Sequence, residues 1–469
     1  MSVLLIVSDV DADALTASPL ARSLAAQSDP GWTFDRAQGE PLATVAVAAD
    51  TLLRPDAIAS IRTAFGQHPG IDGLIGDALI GGERRLRPAW SPTASAACPE
   101  ELDLVAVRGA ATMNGTLAAR VDALAAHAPT AIGHLPEVLV ERDEPEPVDD
   151  RAIDAVERLI AARRSGPRPG AITFVIPTAG TRAPDGSRLV EQAIVAARRS
   201  GVEIVEILLI AGAEFGGDPT ELEAPDVRVV ERPGPWNFSA AINTGLLAST
   251  HATVALLNDD IEMIEPDWAR PLTEHLRDPE VALVGPALLY PDHTIQHVGM
   301  VIDDAFPLHS HVGARLADLP SRHRSPREVA ALTAACLLGR RADLLAVGGL
   351  TEALPVNFND ADLCFKLQRT VGRIIVDPTT PLLHHESASR QPVIEDWEWE
   401  TFVGRWGEIV DPWYHPGHHR PDEPTARRRN ADHLPPRSLD GRWPLRTPTV
   451  RPSVHRARMT APSELADPE

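Results

Sequence analysis

From residue 171 onward the chain alternates short apolar runs with stretches of helical period. Ile172 to Ile176 is a β-branched run stopped by Pro177, which predicts a strand. Leu189, Val190, Ala193, Ile194 and Ala197 then recur at the spacing of one helix face, and Gly201 ends that helix. Glu206 to Ile210 and Val227 to Val230 read as further strands, Ser239 to Ser249 as a helix, and Ala252 to Leu257 as a buried strand. Such alternation is the signature of an α/β fold with a mainly parallel central sheet. At the other end of the chain, Val3 to Val7 is an apolar run followed at once by Asp9, Asp11 and Asp13. It lacks a basic flank and a small-residue cleavage site, so it reads as a strand and not as a signal peptide.

A chain of 469 residues exceeds the size at which a single core usually keeps growing. We divide it into a first α/β domain at 1–150, a linker helix and loop at 151–170, a second α/β domain at 171–414 and a Pro/Arg-rich extension at 415–469, expected to be poorly ordered. The extension holds 10 Arg against 7 acidic residues with little apolar content, which is why no packed core is expected there. A weak internal repeat links the halves: Ala49 to Asp56 resembles Asp259 to Asp267, each following an apolar strand and preceding a helix opened by Pro-Asp. In the first copy Ala48 and Ala49 stand where carboxylates would be needed.

Composition narrows the function classes. The net charge of -22 argues against a general nucleic-acid binder, so any phosphate-bearing ligand has to be neutralised locally, by a metal or a few arginines. No apolar run is long enough to span a bilayer, and Cys98, Cys336 and Cys364 are too scattered for a disulfide framework or a thiolate metal site. A reducing, cytoplasmic setting follows as the expectation, with peripheral attachment to the inner face of the membrane left open.

Three polar clusters carry the chemistry. Asn258-Asp259-Asp260-Ile261-Glu262 falls at the predicted C-terminal end of a strand, where open α/β sheets place their ligands. Hard oxygen donors there suit Mg²⁺ or Mn²⁺; an isolated Asp-Asp pair is more often a helix cap, and the other two clusters tip the balance. Asn357 to Cys364 opens a helix whose apolar positions Leu363, Cys364, Leu367 and Val371 share one face, closed by Gly372. A carboxylate at that N-terminus is expected to be held ionised by the helix dipole and to accept a proton. Asp360 and Asp362 diverge by about 200° on an ideal helix, so one of them serves as a simple cap. The third cluster, His384 to Arg390, follows the strand Ile374 to Val376; adjacent histidines on extended chain point to opposite sides, so at most one faces the site.

Taken in order, Ile176-Pro177-Thr178, Trp236 to Asn243, Leu257 to Glu262, Leu289-Tyr290-Pro291-Asp292, Gln296-His297, Phe358 to Cys364 and His384 to Arg390 resemble family 2 glycosyltransferases with the GT-A fold. The spacing is similar to the bacterial branch with rhamnosyl- and galactofuranosyltransferases, which build cell-surface polysaccharide. The resemblance spans about Ala171 to Trp406. It implies a nucleotide-sugar donor, contacted by Pro177, Thr178, Trp236, Asn237, Asn243 and Asp259. It implies Mn²⁺ or Mg²⁺ held by Asp260, Glu262 and His384, an inverting displacement with Asp360 as catalytic base, and a glycan or lipid-linked glycan acceptor. After Glu206 to Ile210 the family usually carries an acidic residue that contacts the nucleobase, whereas this chain reads Ala211-Gly212-Ala213. The N-terminal half resembles a second, degenerate GT-A domain through Leu86 to Pro92 and His134 to Leu139, and is expected to lack the opening strands, the paired carboxylates and the base motif.

Three alternatives meet the same residues. A dinucleotide oxidoreductase needs a glycine-rich turn that Pro177 to Thr181 does not supply. A metal phosphoesterase usually holds two metals and uses water. A catalytically decayed nucleotide-sugar or glycan-binding protein is favoured by Ala211 and opposed by the joint presence of Asp260, Asp360 and His384.

Overall fold

A computed structural model describes residues 4–7, 18–34, 41–85, 89–91, 93–94, 103–109, 132–143, 170–182, 186–303, 306–385, 394–407, 409 and 411–414. The linker 151–170, Gly170 excepted, and the extension 415–469 lie outside the described residues, as do Leu86 to Pro88 and Glu386 to Arg390.

The first half forms an eight-stranded sheet from β1 (Leu4–Val7), β2 (Trp32–Phe34), β3 (Ala43–Val47), β4 (Leu52–Leu53), β5 (Gly73–Ile80), β6 (Glu83–Arg85), β7 (Leu104–Arg108) and β8 (Ile132–Arg142). The second half supplies β9 (Ala171–Thr178), β10 (Ile204–Gly212), β11 (Val227–Arg232), β12 (Thr253–Leu257), β13 (Ile261–Met263), β14 (Val281–Leu289) and β15 (Ile295–His297). It continues with the hairpin β16 (Met300–Asp303) and β17 (Phe306–His309), then β18 (Arg327–Glu328), β19 (Cys336–Arg340) and β20 (Arg373–His384). All but the hairpin join one ten-stranded sheet in the order β11-β10-β9-β12-β19-β14-β20-β13, with β15 on β14 and β18 on β20. Only β19 and β13 run against the others along that path, so the expected mainly parallel α/β sheet is present.

Burial on both faces explains why these strands read as nearly continuous apolar runs. Val175, Leu208, Ile210, Val254 and Leu256 pack into one core, while Phe174, Ile176, Leu209, Ala255 and Leu257 alternate into the other. Helix α1 (Leu189–Arg198) lays Val190, Ala193, Ile194 and Ala197 on the second core. Helix α2 (Phe238–Ala248) packs Ala241, Ile242 and Leu246 into the first, joined there by α3 (Asn359–Thr370) and α4 (Asp396–Trp406). Gly372 follows α3 as expected; a Cβ there would come within 2.3 Å of the Glu280 carbonyl oxygen.

The two sheets share one topology. The first runs β2-β1-β3-β7-β5-β8-β4, and each step has the same parallel or antiparallel sense as β10-β9-β12-β19-β14-β20-β13. The opening strands expected to be missing are therefore present as β1 and β2. β2 is only three residues long, too short to carry a period, which is why the pattern hid it. The halves meet along a polar seam: Ser91 and Thr93 hydroxyls donate to the buried Glu328 carboxylate, and the Ala89 amide donates to the Pro412 carbonyl at 2.9 Å.

Candidate functional site

The C-terminal ends of the neighbouring parallel strands β9 and β12 open into one polar corner. The Thr178 hydroxyl donates to Asp259 Oδ2 at 2.7 Å and accepts the Gly180 amide at 2.9 Å, so it fixes the Asp259 carboxylate across the strand ends. Burial drives the Asp259 carboxyl up to about 6; the Thr178 bond works against that shift and the neighbouring Asp260 charge adds to it. Pro177 is in register with Ile210 on β10, one residue before this corner.

Asp260 is buried at 8% exposure, and its Oδ1 lies 3.1 Å from Nε2 of His384. That contact has ion-pair distance without hydrogen-bond geometry, because Asp260 Oδ1 has no hydrogen-bond partner. His384 arrives from β20, which pairs with β13 so that His384 stands opposite Ile261. Its Nδ1 lies 2.6 Å from Gln296 Oε1, an acceptor, so the proton belongs on Nδ1 and the Nε2 lone pair faces Asp260. Asn258 Nδ2 reaches the same Nε2 at 3.3 Å, and Asn258 Oδ1 is itself buried without a partner.

A neutral imidazole and a carboxylate oxygen facing each other this closely, with a lone pair each, suit a divalent cation. Two donors on an octahedral ion with bonds of about 2.1 Å sit roughly 3.0 Å apart. Among the described residues no group of three or more His, Cys, Asp or Glu gathers to hold a metal. The fit is therefore to an ion that takes one or two protein ligands and completes its shell with phosphate and water, as Mg²⁺ does. Glu262 is turned elsewhere: its Oε2 pairs with His385 Nε2 at 2.9 Å on the more exposed side, so the two histidines do point apart.

The Trp236 to Asn243 stretch is held by its own partners. Asn237 caps α2, accepting the Ala240 amide at 2.9 Å, and donates to the Glu352 carbonyl; Asn243 donates to the Leu350 carbonyl and accepts the Leu350 amide at 2.8 Å. Both amides thus fasten α2 to the loop that leads into α3. The Trp236 amide donates to Glu214 at 2.8 Å. Glu214 follows the end of β10, and a Cβ on Gly212 would come within 2.7 Å of its Oε2 and 3.4 Å of the Trp236 ring. An acid does stand at this strand end, two residues beyond Gly212.

Asp360 lies in the first turn of α3, its Oδ1 accepting the Ala361 amide at 2.8 Å. It keeps some solvent contact yet is closely surrounded, and burial pushes its carboxyl up against the pull of the Ala361 and Ala334 amides and of His309. Desolvation outweighs those donors, so the helix end does not by itself keep this carboxyl at its ordinary value. Phe358, immediately before, adopts a left-handed φ of 62°, rare for a bulky residue. Stacking on Phe402 at 5.0 Å and contacts with Phe306 and Trp399 hold it there. Asp362 is fully buried instead and receives Thr351 Oγ1, Trp406 Nε1, Arg405 and Lys366. Burial opposes its ionisation, but Lys366, Thr351, Trp406 and Arg405 together bring its carboxyl below the usual range.

The hairpin adds a residue that sequence reasoning missed. His309 Nδ1 lies 3.2 Å from both His297 Nδ1 and the Gln296 carbonyl oxygen, with the two rings edge to face. Burial, and then the charge of His309, drives the His297 imidazole well below its ordinary range. Gln296 thus links His384 on the Asp260 side to His309 on the Asp360 side. The only signal for His309 was its place in a short alternating run after Gln296-His297, with no chemistry of its own.

Residues 213–343 match the family model described as Glycosyl transferase family 2, a span that includes Asp259, Asp260 and Gln296 and stops before Asp360 and His384. The chain is 37% identical over 195 residues to an uncharacterized Sinorhizobium fredii protein, y4gI, covering 39% of this chain and 22% of that one. It is 31% identical over 192 residues to the O-antigen biosynthesis protein RfbC of Myxococcus xanthus, covering 39% and 15%. It therefore spans well under two thirds of these relatives. Among solved structures, GalNAc-T7 with UDP, GalNAc and Mn²⁺ is similar at 14% identity and a TM-score of 0.39, covering 51% of this chain and 48% of that one.

Proposed function

Residues 213–343 belong to glycosyl transferase family 2, and from that premise we propose that the chain moves a sugar from a nucleotide-diphosphate-sugar to a hydroxyl of a glycan or lipid-linked glycan, with inversion. The observation that carries the reading is the Asp260–His384 contact, an unpartnered carboxylate oxygen facing an imidazole lone pair at a parallel strand end. Asp260 and His384 would hold Mn²⁺ or Mg²⁺, which when bound offsets the charge of the leaving diphosphate.

The chain's own groups do the rest. Asp259, oriented by Thr178, faces the donor; Glu214 takes the place of the acid missing at Ala211 and, with the Trp236 ring, borders the nucleobase position. Asp360 accepts the acceptor proton at a carboxylate oxygen; its raised affinity for protons brings it nearer the working pH, which favours general base catalysis. Gln296 sets the His384 tautomer through Nδ1. Glu262 supports the site through His385 and not as a direct ligand.

The catalytic domain is then 171–414, and 1–150 is a degenerate copy. In that copy the guanidinium of Arg142 donates to Asp50 at 2.7 Å and lies 3.5 Å from Asp103, so a side-chain cation already answers the acid after β3 and the one just before β7. No helix among the described residues is long and apolar enough to cross a membrane; we place the enzyme in the cytoplasm, at the membrane face where lipid-linked acceptors lie. The test is a screen of the purified chain with Mn²⁺ against a panel of nucleotide-sugars, following nucleotide release. Release that depends on an added acceptor supports transfer. Tight binding without release under any acceptor would return the decayed-binder reading.

A further inference from the structure

The hairpin side of the site carries positive charge that the proposed chemistry does not use. Arg327 lies in β18, in register with Val376 of β20. Its neighbour Glu328 faces the other way, into the seam, where Ser91, Thr93 and Arg373 saturate it. That anchor fixes the short strand and leaves Arg327 on the site side. There its guanidinium donates to two backbone carbonyls, His323 at 2.9 Å and Val298 at 2.6 Å. Among the described residues no carboxylate stands within ion-pair distance of it, although the chain carries a net charge of -22. Burial, with Arg322 adding to it, lowers its pKa to about 9.

A guanidinium with only neutral acceptors is poorly compensated for its burial. Its surroundings are basic: Arg322 Nε donates to His323 Nε2 at 3.0 Å, and His323 Nδ1 lies 3.1 Å from His311 Nε2. Val298, one of its acceptors, follows His297, which contacts His309 beside Asp360. Arg327 is thus joined to the Asp360 side through Val298, His297 and His309, with Gln296 between it and the Asp260–His384 corner where the donor diphosphate is expected.

We infer that Arg327, with Arg322 positioned by the His311–His323 pair, forms a receiving site for a phosphate or diphosphate group carried by the acceptor. The placement on the acceptor side rests on the proposed transferase reading; the anion site itself does not. Guanidinium donors recognise phosphate oxygens, and a phosphate would supply the charge Arg327 lacks.

Two measurements on the full chain test it. The first is calorimetric titration of inorganic pyrophosphate in excess chelator, which removes any contribution from a divalent ion. Binding should weaken at least about tenfold in Arg327→Gln and in Arg322→Ala, be largely kept in Arg327→Lys, and be unchanged in Asp260→Asn. The second compares a phosphorylated acceptor with its dephosphorylated form: Arg322→Ala should raise KM for the phosphorylated one alone, with donor KM unaltered. Pyrophosphate binding that survives both Arg substitutions, or that falls equally in Asp260→Asn, would overturn the site. An equal rise in KM for both acceptors would overturn its link to the acceptor. If no transfer is found with any donor, the transferase reading fails while the titration still decides whether the anion site exists.

Discussion

His384 brings Nε2 to 3.1 Å from Asp260 Oδ1 with the proton held on the far nitrogen by Gln296, so two lone pairs converge where neither side chain satisfies the other. This arrangement is costly unless a cation enters. Asp260→Asn removes the anionic donor while keeping shape, so transfer should fall to background and calorimetric Mn²⁺ binding should be lost, with circular dichroism unchanged. Excess chelator should silence the wild type equally. Full activity in either condition would refute the assignment.

Gln296→Leu gives a finer test of the same corner. Without the Oε1 acceptor the His384 proton is free to shift to Nε2, which cannot ligate; loss of such outer partners typically lowers metal affinity about 10- to 100-fold. The Mn²⁺ dependence of turnover should move to higher concentration, and saturating Mn²⁺ should restore much of the rate. A rate loss that Mn²⁺ cannot rescue would give Gln296 another role.

Asp360 and Asp362 should part company on substitution. Asp360→Asn keeps the Ala361 contact and removes the proton acceptor, so turnover should fall roughly 10²- to 10⁴-fold with donor binding little changed. Because burial raises the Asp360 pKa, the wild-type rate should be lost as pH falls through that raised value. Asp362→Asn instead removes the buried carboxylate that Lys366, Arg405, Thr351 and Trp406 answer, and losing hydrogen bonds to a charged group costs about 1.5–3 kcal/mol. Its mark should be a lowered thermal midpoint. A folded but inactive Asp362 variant, beside an active Asp360 variant, would reverse the roles.

The strands of the second half were legible because burial on both faces writes itself as unbroken apolar runs, from Ile172 to Leu257. The polar corner was legible for a related reason: Asp259, Asp260 and His384 end strands, where apolar pattern gives way to chemistry. What stayed hidden is non-local. That β19 enters antiparallel between β12 and β14, or that β18 joins β20 through only two residues, depends on pairings no local period reports. The roles of Asn237 and Asn243 were hidden likewise, since a helix cap and a loop tie differ from a ligand contact only in where their partners fold. His309 and Arg327 carried no motif at all and acquire meaning only from the groups packed around them.

Asp259 offers a stability test with a defined sign. Its folded pKa of about 6 lies above the ordinary carboxyl value, so the folded protein binds the proton more tightly than the unfolded chain. The group is least unfavourable below the ordinary value, and it costs stability as pH rises toward and through 6. Asp259→Asn removes that cost while Oδ1 can still accept from Thr178, so without metal its thermal midpoint should exceed wild type by a few degrees at pH 8, on the scale of about 2–4 °C per kcal/mol. The gain should vanish near pH 4. A gain at pH 4 equal to that at pH 8 would show that the effect is not electrostatic.

The last prediction concerns the duplicated topology. Both sheets carry the same strand order, yet among the described residues only the second ends in a carboxylate facing an open imidazole; in the first, Arg142 already pairs with Asp50 and Asp103. A guanidinium in that place excludes a divalent ion by like charge and already has two carboxylates beside it. The full chain should therefore bind Mn²⁺-dependent nucleotide-sugar with a stoichiometry of about one, and Asp260→Asn should bring it to zero instead of leaving a second site behind. Arg142→Ala should destabilise the first half through Asp103 without creating donor binding. Two equivalents in the wild type, or one remaining in Asp260→Asn, would mean that the first copy still holds the donor and is not degenerate.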